Sequence, residues 1–240
     1  MSGYRIEATW TPRREAPETL AARVEGLLAV LGALHPSLAG WHAVGPEPAR
    51  PSHLTDRASV WSALDASTRR WYSGGRARTV KLPRFTAGAR EPAVVELDAV
   101  FDLALPEGLA VYAPERVTLT LGPRANPALS TRAVLEGALV AMVQSFEPDA
   151  AYAGTRGFPC APAPIESSGT PPVGWITWLG ARYPRPPYAL PPPAETFGWG
   201  GGTLIVATSE VFKDGHPAHL AAVEAARAAL VAHGTLPRET

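Results

Sequence analysis

Acidic side chains recur along one apolar stretch of the sequence, from Val94 to Leu105. Glu96, Asp98 and Asp102 alternate there with apolar residues, and residues two apart on a strand lie on the same side, about 7 Å from each other. Such a row can hold a metal, transfer protons or attract a basic protein. The sequence supplies no histidine or third motif that would complete a metal or acid/base site. The row therefore indicates either a solvated outer face or a docking surface for a basic partner.

A second candidate is a basic segment from Arg69 to Arg90, which contains arginine, lysine and aromatic residues but no acid. Cations that neutralise phosphates and rings that stack on bases would suit single-stranded nucleic acid. However, the chain carries 22 basic and 22 acidic residues, so it exerts no long-range attraction on nucleic acid or on an anionic membrane. No nucleic-acid motif is recognised, and a solvated arginine-rich loop is the favoured interpretation.

The remaining reactive residue types do not form a catalytic constellation. Gly200–Gly202 precede a predicted strand, whereas a phosphate-binding loop follows a strand and opens a helix. His216 and His219 lie at a helix start without a further ligand motif, and we expect them to be solvated there. Cys160 is the single cysteine; with no base beside it in the sequence, we expect an inert loop cysteine in a reducing compartment. The sequence predicts no catalytic residue, no metal and no cofactor.

Two hydrophobic periodicities define the elements that must position these residues. Apolar residues at steps of three or four predict helices, and strict alternation or short β-branched runs predict strands. The predicted helices are Glu18–Leu34, Thr55–Trp71, Pro127–Phe146 and Pro217–His233, and the predicted strands are Tyr4–Trp10, Leu38–Val44, Val94–Leu105, Val117–Leu121, Val173–Leu179 and Gly202–Thr208. The pattern predicts an α+β fold, with a largely antiparallel sheet or sheets of about six or more strands and about four helices packed on them.

The first and last predicted strands should have different surroundings. Tyr4–Trp10 alternates between apolar and polar residues, which predicts a half-buried strand. Gly202–Thr208 is almost wholly apolar, which predicts a central strand buried on both faces. Trp199 lies between two glycines just before that strand, where packing and exposure are equally compatible with the sequence.

The length of 240 residues suits a single domain over 1–240, with an internal division near 155–172 as the alternative. The reason for that alternative is the proline- and serine-rich loop Phe158–Pro172, and Pro184–Pro193 should be a stiff surface connector. The N-terminus lacks a basic region followed by an apolar one, and no apolar run approaches the roughly 18 residues of a membrane span. These features predict a cytoplasmic protein without membrane contact.

Several segments are familiar as a set: Tyr4–Glu15 (YRIEATWTPRRE), His35–Trp41 (HPSLAGW), Ser145–Ala153 (SFEPDAAYA), Val173–Leu179 (VGWITWL), and Gly201–Thr208 (GGTLIVAT) followed by His216–Leu220 (HPAHL). Through them the chain resembles the Imm52 family of bacterial immunity proteins over most of its length. The last two segments are the most specific. None of them is a catalytic signature.

The resemblance implies an antidote that is encoded beside a polymorphic toxin and binds it, without enzymatic activity, cofactor or direct contact with nucleic acid. Such toxins often resemble nucleases of the restriction-endonuclease fold, delivered by contact-dependent or type VI secretion. A nuclease presents a basic cleft, so our hypothesis is that Glu96, Asp98 and Asp102, flanked by Trp199, contribute to the toxin contact. Two alternatives stay open: an enzyme whose pocket joins the acidic row to a histidine, and a nucleic-acid-binding protein that uses the basic segment.

Overall fold

The structure is a computed structural model that describes residues 3–11, 13, 15–44, 52–53, 57–69, 79–81, 84–87, 93–101, 112–122, 127–156, 158, 171–186 and 188–237. Across these residues the strands are β1 (Tyr4–Thr9), β2 (His42–Val44), β3 (Ser52–His53), β4 (Thr79–Lys81), β5 (Arg84–Ala87), β6 (Ala93–Phe101), β7 (Tyr112–Leu121), β8 (Ala150–Thr155), β9 (Ile176–Leu179), β10 (Glu195–Trp199) and β11 (Gly202–Val206). The α-helices are α1 (Pro17–Leu34), α2 (Arg57–Arg69), α3 (Arg132–Phe146) and α4 (Pro217–Ala232), with single 3₁₀ turns at Pro36–Leu38 and Pro127–Leu129.

These strands form one 11-stranded sheet in the order β10-β11-β9-β8-β1-β7-β6-β5-β2-β3, with β4 also paired to β6. Each described strand pair is antiparallel. The predicted α+β class and antiparallel sheet are confirmed. The first strand of the chain lies in the interior of the sheet, between β7 and β8.

Both faces of the central strands are covered. In β1, Ile6 and Ala8 on one face and Glu7 and Thr9 on the other are all buried, and successive residues of a strand point to opposite faces. Every residue of β8 and β9 is buried too. The expectation of a half-buried first strand is therefore wrong, because a polar residue in β1 marks a second covered face and not a wet one.

Helices α1 and α3 pack against each other, and α3 also packs on β1 and β8. The indole of Trp10, just after β1, stacks on Phe146 with ring centroids 5.3 Å apart. At the start of α3 the hydroxyl of Thr131 accepts a hydrogen bond from the Val134 N–H at 3.3 Å, which satisfies one of the free donors of the first turn. This helix is thus fixed at its N-terminus by a side-chain cap and at its C-terminus by an aromatic stack.

A partly buried ion cluster lies at the C-terminal end of α3. Arg13 donates to the Phe146 carbonyl, and Arg23 donates to the Ser145 carbonyl at 2.6 Å. The Glu15 carboxylate lies between the two guanidinium groups, with Oε1 2.9 Å from Arg13 Nε and 3.2 Å from Arg23 Nε. Cations are favoured at a helix C-terminus, where the last carbonyls lack intrahelical donors. Glu15 supplies the negative charge that lets both arginines lie there together.

Aromatic residues fasten the C-terminal part of the chain to the sheet. Trp175 is fully buried, and its Nε1–H donates to the Thr208 carbonyl at 2.8 Å. The Tyr4 hydroxyl donates to the Phe212 carbonyl at 2.9 Å, and burial raises the pKa of Tyr4, with a smaller contribution from the Asp214 carboxylate. The buried apolar core includes residues from Tyr4 to Leu236. None of the helices in the described part of the chain has the length and apolarity to cross a membrane.

Some predicted elements differ from the observed ones. β11 was expected to be a central strand buried on both faces. Its residues after Gly202 are buried on both faces as predicted, but the strand is second from the end of the sheet, beside β10. The basic segment, expected as a loop, contributes β4 and β5, while residues 70–78, 82–83 and 88–90 lie outside the described residues. Most of the proline- and serine-rich loop, 159–170, lies outside them as well. Strands β8 and β10 were not predicted.

Candidate functional site

The acidic row on β6 has cationic neighbours in the sheet. Asp98 has Lys81 of β4 as its Cα partner on one side and Arg116 of β7 on the other. Glu96 has Thr118 as its partner, and Asp102 lies outside the described residues. The strand register therefore places one acid of the row between basic residues of two neighbouring strands.

One buried acid next to this row was not predicted as a site residue. Glu7 is the other Cα partner of Thr118, and it is only 7% exposed. Its carboxylate pairs with Arg5 and lies 3.5 Å from the Thr118 hydroxyl. A buried carboxylate needs such partners to offset its lost hydration. The alternating pattern of β1 gave no signal of this burial, because the same pattern is typical of a solvated face.

The two histidines of the sequence analysis have different environments. His216 is exposed at the N-terminus of α4, as expected. His219 is buried, so the expectation of solvation is wrong for this residue. Its Nδ1 accepts a hydrogen bond from the Lys213 N–H at 3.0 Å, which places the ring proton on Nε2, 3.1 Å from the Glu210 carboxylate. The ring thus holds the segment between β11 and α4. Across the described residues, no group of three or more histidine, cysteine or acidic residues has the geometry of a metal site, and Cys160 lies outside them.

The glycine run before β11 forms a tight hairpin turn. Trp199 and Gly202 face each other in the β10–β11 pair, and the two residues between them have φ values of 57° and 75°. A two-residue loop with both φ values positive is a type I′ turn, which suits glycine at both positions. The next glycine has a different reason: a Cβ added at Gly202 would lie 2.8 Å from the Trp178 ring. The three glycines therefore build a rigid hairpin and not a phosphate cradle.

Strand β10 is an exposed edge of the sheet. It lies at one end of the strand order, and its residues are exposed except for Trp199, which is partly buried against the core. The Trp199 carbonyl accepts a 3.3 Å hydrogen bond from Trp178 Nε1. Phe197 is 44% exposed, the largest exposure among the bulky apolar side chains of the described residues. We call these five residues the β10 edge.

Charged side chains border the β10 edge on two sides. Glu195, the first residue of the strand, accepts a hydrogen bond from Arg132 of α3 at 3.3 Å. Arg185 lies against the strand, because a Cβ added at Gly198 would be 2.6 Å from its Nη2. In the part of the chain that the structure describes, no acidic side chain pairs with Arg185. Arg185 is an exposed residue, and no described acid competes with a partner for its charge.

The connector Pro184–Pro193 and the residues just before it are anchored on both sides of Arg185. Just before the connector, Arg182 Nη1 lies 2.7 Å from Asp149 Oδ2, which also accepts the Thr11 N–H at 2.8 Å. Burial raises the pKa of the neighbouring Tyr183; the Arg182 guanidinium opposes that rise and the Asp149 carboxylate adds to it. Further on, the Tyr188 hydroxyl donates to the Ala229 carbonyl at 3.3 Å. These contacts hold the connector in a fixed position beside the β10 edge.

The structure does not bring the predicted partner-binding residues together. β6, with Glu96 and Asp98, and β10, with Trp199, are separated by β7, β1, β8, β9 and β11. At about 4.8 Å per strand spacing, these six steps amount to roughly 29 Å across the sheet. The acidic row and Trp199 thus belong to separate surfaces.

Known proteins resemble this chain in fold, and a protein family resembles it in sequence. No curated protein sequence matches the chain. Four solved chains are significantly similar in structure, among them the Pseudomonas aeruginosa T6SS protein PA0821, with a TM-score of 0.50 and 11% sequence identity over 93% of this chain and 73% of that chain. At this identity the likeness concerns the fold alone. The family model of immunity protein 52 matches residues 2–238, a range that includes every element from β1 to α4. The chain therefore belongs to the Imm52 family of immunity proteins.

Proposed function

We propose that this protein protects the cell that produces it by binding and neutralising a cognate toxin. The observation that carries the proposal is the match of the immunity-protein family to residues 2–238. A structural neighbour that is named as a type VI secretion protein is consistent with it, since such systems deliver toxins between bacteria. In this proposal the chain acts by binding and not by catalysis, in the cytoplasm, and without a cofactor.

We propose further that the whole chain acts as one domain. Its support is the buried apolar cluster of the described residues, to which residues from Tyr4 to Leu236 contribute. A protein that offers a preformed surface gains affinity because few groups must be ordered when it binds. The anchored hairpin and connector around the β10 edge are of this kind.

The direct test is a survival assay. The toxin encoded beside this gene is expressed from an inducible promoter in a heterologous host, with and without this chain. We expect the chain to restore colony formation and to co-purify with the toxin. A chain that accumulates in soluble form and neither binds the toxin nor rescues growth would refute the proposal. A chain of the same family from an unrelated locus serves as the control for specificity.

We propose that the toxin is a nuclease, as the family resemblance implies. Its cleft would then be basic, and inhibition would include attraction between unlike charges, which raises the association rate and falls with salt. Plasmid and total RNA recovered from intoxicated cells should be degraded, and co-expression of this chain should preserve them. Killing without damage to nucleic acid would refute the nuclease while leaving the immunity role intact.

In this proposal Glu96, Asp98 and Asp102 supply part of that attraction, and Trp199 contributes its exposed surface at a separate point. Charge reversal of the three acids to lysine should slow toxin association and flatten its salt dependence. The double reversal of Glu96 and Asp98 has a control of equal charge, the reversal of Glu18 and Glu224, which are exposed acids of α1 and α4; this control should leave association unchanged. Equal effects of the two sets would show a dependence on net charge alone and would remove the acidic row from the interface.

A further inference from the structure

We infer that the β10 edge is the docking site for an extended segment of the toxin, which adds to the sheet as a further antiparallel or parallel strand. The inference rests on the proposed function and assigns a surface to it. Addition of a strand to an exposed sheet edge supplies affinity through main-chain hydrogen bonds and specificity through alternate side chains.

The register of the hairpin shows which backbone groups are available. Trp199 and Gly202 flank a two-residue turn, so they form a hydrogen-bonded pair, and hydrogen-bonded pairs alternate with pairs that are not. Phe197 and Leu204 are then bonded to each other, whereas Thr196 and Gly198 direct their N–H and C=O groups away from β11. No other described residue pairs with these outward groups. A guest strand can bond to all of them.

The side chains at the edge indicate the chemistry of the guest. Phe197 presents an exposed ring on one face of β10. On the other face the Arg185 guanidinium lies over Gly198, without an acidic partner among the described residues. A guest strand that places an apolar residue beside Phe197 and a carboxylate beside Arg185 would complement both, because its own side chains alternate between the faces. The occupant we propose is therefore a toxin segment of alternating apolar and acidic residues.

Within the described residues, strand β10 itself lacks three of the features that usually prevent strand addition. Natural edges are protected by proline, by lysine, by bulges or by a covering element. β10 contains neither proline nor lysine, and its pairing to β11 is regular over five residues. The opposite end of the sheet is β3, which has two residues. A guest strand would find a longer template at β10.

A proline substitution tests the main-chain contribution. Thr196→Pro removes an N–H that points away from β11, so the internal ladder keeps its bonds. With a catalytically inactive form of the adjacent toxin, we expect about a tenfold or larger loss of affinity by calorimetry, with the circular dichroism spectrum unchanged. Hydrogen exchange gives a second measurement on the wild-type protein. The amides of Thr196 and Gly198 should exchange quickly in the free protein and slowly in the complex, whereas the Phe197 amide should be protected in both.

Side-chain variants keep the test valid if the proline variant does not fold. Phe197→Ser and Arg185→Glu should each lower toxin affinity about tenfold, whereas Val30→Ser, which removes an apolar side chain of similar exposure on α1, should not. The inference would be overturned if the folded variants bound the toxin like wild type and the toxin left exchange at Thr196 and Gly198 unchanged. The immunity role would still stand in that case, provided that the wild-type chain protects the cell. A wild-type chain that neither binds nor protects would overturn both.

Discussion

Replacing Glu15 with alanine tests the ion cluster at the C-terminal end of α3. The Glu15 side chain is 6% exposed, and its partners Arg13 and Arg23 are 35% and 22% exposed. Removal of one partner from a buried ion pair typically costs about 3–5 kcal/mol. Both arginines reach water in part and keep their bonds to α3 carbonyls. We therefore expect a smaller loss of about 2–3 kcal/mol in the free energy of unfolding.

Thermal denaturation followed by circular dichroism measures this loss. For a chain of this size about 1 kcal/mol shifts Tm by roughly 2–4 °C, so Glu15→Ala should lower Tm by about 5–10 °C. The matched control is Glu25→Ala, which removes a carboxylate 3.0 Å from Arg57 in a pair whose side chains are 36% and 65% exposed. Exposed pairs contribute about 0.5 kcal/mol and are screened by salt. The control should lower Tm by no more than about 2 °C.

The comparison of the two variants decides the question. Added salt should abolish the small effect of Glu25→Ala and leave most of the effect of Glu15→Ala. If Glu15→Ala lowered Tm no more than Glu25→Ala does, the cluster would not stabilise the end of α3, and the burial of Glu15 would have to be explained by packing alone.

Three further variants test local stability. Burial raises the pKa of Tyr4 above 10.0, so the unfolded chain loses the phenolic proton at a lower pH than the folded chain does. The contribution of Tyr4 to stability should therefore be constant up to about pH 10 and fall above it. Urea unfolding should show a smaller loss of stability at alkaline pH for Tyr4→Phe than for the wild type. At neutral pH the same variant leaves the Phe212 carbonyl without its donor and should cost about 1 kcal/mol. Gly26 in α1 has free space around an added Cβ, so Gly26→Ala should raise the free energy of unfolding by about 0.5–1 kcal/mol. Gly202→Ala would press on the Leu179 carbonyl and the Trp178 ring and should lower Tm; a neutral result would mean that the hairpin is less closely packed than described.

The helices were predictable because their patterns are local. The apolar positions of α1 and α3 recur at helical spacing, and prolines lie near their starts, so the observed bounds differ from the predicted ones by a few residues. Strand β8 was missed because its sequence, AAYAGT, is rich in alanine and glycine, which have low strand propensity. It is a strand because β1 and β9 pair with it on either side. β10 was missed since an exposed edge shows no alternation between apolar and polar residues.

The candidate surfaces depended on long-range register, which the sequence does not display. Asp98 is close in the chain to other acids, but its Cα partners Lys81 and Arg116 come from two other strands. The environment of Arg185 likewise depends on the pairing of β10 with β11. Trp199 was recognised as a candidate for either packing or exposure, and it is partly buried. Residue types could be identified in advance, whereas their neighbours could not.

The position of β1 has a consequence for synthesis on the ribosome. Tyr4 pairs with Leu121 on one side and with Thr155 on the other, so in a nascent chain β1 stays without these partners until β7, which is far along the sequence, has emerged. Such distant pairings slow folding and leave intermediates open to aggregation. Loss of residues 4–9 would separate β7 from β8 and so divide the sheet in its interior. Loss of an edge strand would leave the rest of the sheet paired.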